Sequence, residues 1–413
     1  MRARFWPATP DRMEGLDLPK ALVFELALRH IRLQGSSGLQ ALSRSLKASI
    51  PVVESVFHHL RQHQLLDVEG MAGEDYNFRL TQKGRDLASE RSELGSYAGP
   101  LPVSVDEYER ATRAQAAHPK LTRAKLRQIF SDMVVPDTLL DQLGPALISH
   151  RSIFLYGPTG NGKTSIAERL LRMYTDTVAV PYAVEVDGHI VTLFDPVVHH
   201  EIAGRDEYLD PRWVICQRPC VTVGGELVSG MLEMRLDQAT GFYSAPLQMK
   251  ANNGILIIDD FGRQVLSPRE LLNRWIVPLD RRVDYLTLSH GVKFRIPFEL
   301  LVVFSTNLDP SELADEAFLR RIHTKVYVEA VSAEQFDEIF VRVVTRLELS
   351  FDADSADYLR RLCLRHSRSG LRACYPGDIC EIMSSIAEYE DRPLRITHNE
   401  LDRAVALYFT KSG

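Results

Sequence analysis

The 413-residue sequence predicts an α/β core with a parallel sheet, flanked by a small N-terminal domain and a helical C-terminal region. Two short apolar runs, 153–156 and 255–258, predict the sheet, because uninterrupted runs of this kind are typical of parallel strands buried on both faces. Apolar residues at helical spacing from residue 333 onward predict the C-terminal helices. The predicted fold class is therefore an αβα core with a helical lid.

The first predicted strand runs directly into the phosphate-binding loop (P-loop) pattern G-x-x-x-x-G-K-[ST], and a helix is predicted after it. The loop residues are Gly157, Pro158, Thr159, Gly160, Asn161, Gly162, Lys163 and Thr164, and Ser165 continues into the helix. Glycines let the backbone N–H groups turn toward phosphates, and the helix N-terminus adds its positive end. Lys163 would neutralise γ-phosphate charge, and the Thr164 hydroxyl would ligate magnesium. We therefore expect a nucleoside triphosphate and Mg²⁺ at this loop.

The second predicted strand ends in two aspartates, Asp259 and Asp260. An acidic residue at the carboxyl end of such a strand lies beside the P-loop, so we assign Asp259 to the metal. Asp260 is then placed to orient or deprotonate the water that attacks the γ-phosphate. A third apolar run, 300–304, leads into Ser-Thr-Asn, which places Asn307 to hydrogen-bond the attacking water or the γ-phosphate.

Two adjacent arginines, Arg320 and Arg321, follow within the segment Phe-Leu-Arg-Arg-Ile at a predicted helix end. They are candidates for an arginine finger that reaches the nucleotide of a neighbouring subunit. Paired arginines on a helix are usually a solvated surface, and only the order of the motifs favours the catalytic role.

This order of motifs resembles that of the AAA+ ATPases over residues 135–410. Residues 250–260, Lys-Ala-Asn-Asn-Gly-Ile-Leu-Ile-Ile-Asp-Asp, resemble a segment of the MoxR-like, magnesium-chelatase-like and enhancer-activator branches. A predicted hairpin at 284–296 resembles their pre-sensor-1 hairpin. The resemblance implies ATP and Mg²⁺ as cofactors, Asn307 as sensor 1, an arginine finger acting in trans, and a ring that is usually a hexamer.

Two positions depart from the family pattern. Asp260 stands where most members have glutamate, and the shorter side chain implies slow hydrolysis. The sensor-2 arginine is expected near residues 375–378, where Gly377 occupies the corresponding position. Arg372 or Arg368 is the candidate replacement, and we include Arg372 among the nucleotide-binding residues.

Residues 1–95 are predicted to form a winged helix-turn-helix domain, since three helical segments precede two strand-like segments and a fourth helix. The resemblance to winged-helix regulators covers residues 18–90. The domain has no strong net charge, so DNA binding and protein docking both stay open. The remaining chain is predicted to divide into a linker and helix, the ATPase core and the lid, at residues 96–135, 136–330 and 331–413.

The spacing of the motifs predicts an insertion in the core. Lys163 and Asp259 lie 96 positions apart, about twice what one helix, one strand and short loops need. The excess includes a predicted hairpin over residues 182–194 with an Asp-Gly turn. Phe242 and Tyr243 lie on a glycine-flanked loop, where they either grip a substrate at a ring axis, as the resemblance implies, or pack in the core.

Composition and charge argue against a membrane protein and against a disulfide-rich protein. The net charge is −6, which gives no whole-molecule attraction to nucleic acid or membranes. No apolar run approaches the roughly 18 residues of a membrane helix, and five scattered cysteines do not form a disulfide framework. We expect a cytoplasmic, ring-forming AAA+ ATPase that remodels a macromolecular partner, with a protein client recruited by the winged helix. The alternative is a DNA-binding, ATP-dependent regulator or loader that contacts DNA through residues 18–90.

Overall fold

The computed structural model describes residues 6–73, 75–116, 119–202, 209–313, 319–367 and 370–409. Up to the P-loop helix the elements are α1 Lys20–Gln34, β1 Ser36–Ser37, α2 Leu39–Leu46, α3 Ile50–Gln62, β2 Leu66–Ala72, β3 Asp75–Leu80, α4 Gln82–Leu94, β4 Val103–Ser104, α5 Val105–Ala114, α6 Arg123–Ile129, α7 Asp137–Ser149, β5 Ile153–Tyr156 and α8 Lys163–Arg169. Among the described residues, no helix is both long enough and apolar enough to cross a membrane.

The elements that follow the P-loop helix complete the core and the lid. They are β6 Thr177–Pro181, β7 Ala183–Val186, β8 His189–Thr192, β9 Trp213–Gln217, β10 Cys220–Val223, β11 Arg235–Asp237, β12 Phe242–Ser244, α9 Leu247–Lys250, β13 Ile255–Ile258, α10 Pro268–Arg274, α11 Ile276–Arg281, β14 Val283–Thr287, β15 Lys293–Pro297, β16 Leu301–Thr306, α12 Pro310–Leu313, β17 Thr324–Tyr327, α13 Ala333–Arg346, α14 Ser355–His366, α15 Tyr375–Tyr389 and α16 His398–Tyr408.

The N-terminal elements follow the order predicted for a winged helix-turn-helix. Helices α1 to α3 precede the antiparallel hairpin β2–β3, and the short strand β1 between α1 and α2 pairs with β3. The resulting sheet has the order β1-β3-β2. Apolar residues at helical spacing in α3, including Val53, Val56 and Phe57, are buried against the other helices and the hairpin.

The core sheet is parallel, with the strand order β10-β13-β16-β5-β17. Its strands read as continuous apolar runs because both faces are covered. Successive side chains alternate between the faces, so Ile153 and Leu155 pack with helices α6, α7 and α8, whereas Phe154 packs with helix α10 and Trp275 on the other side. This is the αβα arrangement that the sequence predicts, with β5 and β13 among its central strands.

The segment 96–135 contains more structure than the predicted linker and helix. Strand β4 pairs with β7 of the insertion, and α5 packs its Tyr108 and Ala111 into the same core. The side chains of Asn252 and Asn253 donate hydrogen bonds to Tyr108 Oη and to the Thr112 carbonyl oxygen. These contacts with residues distant in sequence hold β4 and α5 against the insertion, so this part of the segment is folded and is not a linker.

The insertion forms a second sheet, with the order β11-β12-β8-β7-β4. Its hairpin β7–β8 turns at Asp187 and Gly188, as the Asp-Gly pair predicts. Of the two readings for the aromatics of β12, core packing is the observed one. Tyr243 is 1% exposed, and its hydroxyl accepts a hydrogen bond from the Ser289 backbone N–H, whereas Phe242 is half-buried against Tyr97.

The lid is a bundle of the four helices α13 to α16 around a single apolar core that includes Phe336, Phe340 and Leu359. Two of its helix starts are capped by side chains. Ser332 and Gln335 form a capping box at α13, and Thr397 accepts a hydrogen bond from the Glu400 N–H at α16. These caps fix where α13 and α16 begin.

Candidate nucleotide-binding site

The loop between β5 and α8 contains glycines whose backbone conformations other residues adopt only with strain. Gly157 has φ 141°, and a Cβ there would overlap the carbonyl oxygen of Val328. Gly162, with φ 77°, is the residue immediately before α8, so its left-handed conformation turns the chain into the helix. The N-terminus of α8 consequently opens onto the loop, which is the geometry of a phosphate-binding site.

Lys163, the first residue of α8, is buried at the centre of this loop. Its ammonium group donates hydrogen bonds to the carbonyl oxygens of Gly157 (3.0 Å) and Pro158 (2.9 Å). Burial lowers the pKa of Lys163, while the negative charges of Asp259 and Asp260 act in the opposite direction. A phosphate group bound at the loop would further favour the charged ammonium.

Thr164 and Asp259 come together across the sheet. The Thr164 hydroxyl donates a hydrogen bond of 2.8 Å to Asp259 Oδ2, although the two residues are far apart in sequence. Asp259 directly follows β13, and its backbone N–H donates to the Val223 carbonyl oxygen at the end of β10. A hydroxyl and a carboxylate are hard oxygen ligands of the kind that Mg²⁺ prefers, so this pair fits the predicted metal.

Asp260 and Asn307 lie at the same edge of the sheet. Asp260 is exposed and has φ 48°, a left-handed conformation that costs an L-residue about 1–2 kcal/mol and is least unfavourable for Asn and Asp. Asn307 directly follows β16, and its buried Oδ1 has no hydrogen-bond partner among the residues that the structure describes. Such an unsatisfied buried oxygen, lining a pocket, is expected to have a partner among the groups that bind there.

A pocket of about 600 Å³ lies between the core and the lid and contains these groups. The loop residues Thr159 to Thr164, Ser165, Asp259, Asp260 and Asn307 all line it. Apolar side chains line it as well, among them those of Met133 and Val135 before α7 and of Ile339 and Val343 of α13. Polar groups that match phosphates and apolar groups that match a base are what a nucleotide requires.

The lid contacts the P-loop directly. The Cys374 N–H donates to the Gly160 carbonyl oxygen (3.0 Å), and the Ala373 N–H donates to Asn161 Oδ1 (3.2 Å). A Cβ placed on Gly160 would lie 3.1 Å from Cδ of Arg372, so this arginine lies beside the loop. The structure thus places the predicted Arg372 next to the P-loop, while Arg368 lies outside the described residues.

Arg320 and Arg321 do not line the pocket of their own chain. Arg320 is exposed, and Arg321 forms an ion pair with Asp280, at 3.2 Å. Phe318, which begins the predicted motif, lies outside the described residues. The assignment of an arginine finger therefore stays a prediction.

The sequence analysis did not identify the apolar residues that line the pocket. Met133 and Val135 belong to a short loop with no motif, and only the folded lid brings Ile339 and Val343 opposite them. It also missed Arg342 of α13, which lines the pocket and donates a hydrogen bond to the Ser131 carbonyl oxygen, across the boundary between core and lid. No local pattern marks these residues, because their role arises from contacts more than 200 positions apart.

Two observations decide the fold class. The sheet is parallel with the strand order β10-β13-β16-β5-β17, and the P-loop, Asp259 and Asn307 all follow the carboxyl ends of its central strands. The core has the αβα P-loop fold that the sequence predicts. It is followed by the helical lid, and the β14–β15 hairpin immediately precedes the strand that leads to Asn307.

Comparisons with known proteins add little about the reaction. A family model described as a domain of unknown function, DUF8689, matches residues 332–407, which belong to the lid. No curated protein matches the sequence. Solved structures similar to this chain include three point mutants of RuvB from Thermotoga maritima. They show 14%, 12% and 12% identity and TM-scores of 0.40, 0.36 and 0.38. The matches cover 68%, 70% and 66% of this chain and 73%, 71% and 69% of the RuvB chains.

Proposed function

We propose that this chain is an ATPase that hydrolyses Mg-ATP at the interfaces of a ring and uses the energy to remodel a macromolecular partner. One observation carries the proposal. Lys163, the Thr164–Asp259 pair and the unsatisfied oxygen of Asn307 converge on one pocket between the core and a lid. A structural hydrogen bond or a strand-ending turn would account for any one of these groups, but not for their convergence.

Each residue has a distinct role in this proposal. The loop N–H groups and Lys163 hold the β- and γ-phosphates, and Thr164 with Asp259 would hold Mg²⁺. The metal, when bound, neutralises charge that develops on the phosphate oxygens. Asp260 orients or deprotonates the attacking water, and Asn307 fixes that water or the γ-phosphate. Arg372 approaches the loop from the lid, which links lid position to the state of the nucleotide.

Substitution of Asp260 tests the chemical step. We expect Asp260→Asn to keep ATP affinity and to lower kcat by about 10²–10⁴-fold, the usual contribution of a general base. The measurement is phosphate release together with ATP binding by the full chain. Asp391→Asn is a matched control, since Asp391 is also exposed with φ 50° but lies in the lid, outside the pocket. Equal kcat for Asp260→Asn and wild type would exclude this role.

The ring and its trans-acting arginine are the next part of the proposal. Arg320 and Arg321 are on the surface and outside the pocket of their own chain, which is where a residue that serves a neighbour's nucleotide must lie. The β14–β15 hairpin before Asn307 supports placement in the MoxR-like, pre-sensor-1 hairpin group. A hexamer is the assembly that this placement implies.

We further propose that residues 18–90 form a winged helix that recruits a protein rather than DNA. The hairpin β2–β3, which would be the wing, exposes Val68, Met71 and Tyr76 at 40%, 66% and 39%. Around them are the acidic residues Asp67 and Glu69, and the nearby cation Arg79 is paired with Glu69. An acidic, apolar wing repels a phosphate backbone but complements a protein surface that presents basic and apolar groups.

The recruitment surface can be tested by point variants of the full chain. Truncation is unsuitable because Ala183 and Ile190 of the insertion belong to the same apolar core as the N-terminal domain. We expect the Asp260→Asn variant to co-purify with a protein partner, and Met71→Asp to reduce binding of that purified partner at least about tenfold. Leu33→Asp is the control, since Leu33 is 72% exposed and belongs to α1 rather than to the hairpin.

DNA binding is the competing outcome of the same experiment. Duplex DNA of mixed sequence is titrated against the full chain at low and high salt, because phosphate contacts make affinity fall steeply with salt. We expect no salt-sensitive binding. Salt-sensitive DNA affinity that Arg61→Glu on α3 weakens would favour the regulator or loader instead.

A further inference from the structure

The turn that contains Asp260 is attached to the end of the strand that leads to Asn307. The Phe261 N–H donates to the Ser305 carbonyl oxygen at 2.7 Å. The Thr306 hydroxyl donates to the Phe261 carbonyl oxygen at 2.6 Å and accepts from the Leu308 N–H at 3.1 Å. The residue after Asp260 and the residues on both sides of Asn307 are therefore joined by one buried group of hydrogen bonds.

Thr306 is the side chain at the centre of this group. It is 1% exposed, and its hydroxyl acts both as donor and as acceptor. Because the hydroxyl bonds to Leu308 and to Phe261, it closes the turn around Asn307 and fixes that turn to the one that holds Asp260. Thr306 is not among the residues that line the pocket, so it acts on the site only through its neighbours.

The Asp260 turn also needs external support, since Asp260 has φ 48° and is exposed. Gln264 supplies support from the other side. Its Nε2 donates to the Asp259 carbonyl oxygen at 2.7 Å, and its Oε1 accepts from the Gly262 N–H at 2.8 Å. Backbone held in a sparsely populated conformation persists only where such contacts determine it.

We infer that Thr306 is a positioning residue that holds Asp260 and Asn307 at a fixed mutual distance for attack on the γ-phosphate. The inference rests on the proposed function and extends it, because it assigns to Thr306 the role of linking the segments that follow β13 and β16. Small displacements of reacting groups have large effects on rate and small effects on binding. Loss of the hydroxyl therefore changes kcat while the phosphate loop, and with it ATP affinity, stays intact.

The test compares two conservative variants of the full chain. Thr306→Val keeps the shape and removes both hydrogen bonds, whereas Thr306→Ser keeps the hydroxyl and loses a methyl group. We expect Thr306→Val to lower kcat by about 10–100-fold with KM and ATP affinity changed less than about twofold. Thr306→Ser is expected to stay within about threefold of wild type. If the valine variant does not fold, Thr306→Ala removes the same hydroxyl without adding bulk.

A double-mutant cycle separates positioning from a general effect on folding. In an Asn307→Ala background we expect Thr306→Val to lower kcat by less than about threefold, because one of the residues it positions is already gone. Unchanged kcat in Thr306→Val, equal losses in Thr306→Val and Thr306→Ser, or full additivity with Asn307→Ala would each overturn the inference. Those outcomes leave wild-type turnover in place, so they differ from failure of the proposed function, in which the wild-type chain itself hydrolyses no ATP.

Discussion

Replacement of Lys163 by alanine is expected to abolish ATP binding by the full chain. The Lys163 ammonium is the buried cation at the centre of the P-loop. Within the described part of the chain it donates hydrogen bonds to the carbonyl oxygens of Gly157 and Pro158. When phosphates occupy the loop, the ammonium would donate to phosphate oxygens instead, and hydrogen bonds to a charged group are each worth about 1.5–3 kcal/mol. Their loss predicts an ATP affinity at least about 100-fold lower, measured by calorimetry or by a fluorescent nucleotide.

Lys325 provides a matched control for the Lys163 variant. Its ammonium also donates to two backbone carbonyl oxygens, those of Leu319 and Ile322, and burial lowers its pKa as well. It does not line the pocket. Lys325→Ala is therefore expected to keep wild-type ATP affinity. Wild-type affinity or hydrolysis in Lys163→Ala would show that the nucleotide binds elsewhere and would remove the basis of the proposed site.

The sequence is sufficient to predict the phosphate end of the pocket because its residues are contiguous or follow from strand order. The P-loop is one unbroken segment, and its strand and helix are recognisable on either side. Asp259 and Asn307 are predictable because carboxyl ends of neighbouring parallel strands meet at one edge of a sheet. Strands β13, β16 and β5 are indeed adjacent in that order.

Other features were not predictable, since they depend on pairings between distant segments. Strand β4 is two residues long and gains its partner only when β7 folds beside it. From the sequence, Tyr243 is equally compatible with an exposed side chain that contacts a substrate and with a core residue. The contact between its hydroxyl and Ser289 is visible only in the folded structure. The hydrogen bonds that link Phe261 to Ser305 and Thr306 likewise form only when the segments after β13 and β16 lie side by side. Local periodicity carries no information about such contacts.

The order of motifs does not show which of Arg320 and Arg321 is the arginine finger. Their structural surroundings favour one of them. Arg321 is half-buried and is held by Asp280 on α11, whereas Arg320 is exposed. A finger must leave its own chain to reach a neighbour's γ-phosphate, so we expect Arg320 to be the finger and Arg321 to anchor the segment. Arg320→Ala should then lower kcat by about 10³–10⁵-fold with ATP affinity unchanged, and Arg321→Ala by less.

Mixing variants tests whether that arginine acts between subunits. An Arg320→Ala chain keeps its P-loop, and a Lys163→Ala chain keeps its arginine, so an interface that takes the P-loop from the first and the arginine from the second is complete. In an equal mixture, about a quarter of the interfaces in a head-to-tail ring have that composition. Two preparations that are each inactive should therefore recover a substantial fraction of wild-type turnover when mixed.

The mixing result separates the ring hypothesis from an arginine that acts within its own chain. If Arg320 served its own pocket, no interface in the mixture would be complete and activity would stay absent. Arg281→Ala, which changes an exposed arginine at the end of α11, is expected to keep full turnover alone, so it controls for loss of surface charge. Full turnover by a monomer, measured by light scattering under assay conditions, would contradict a shared site even if both arginine variants were slow.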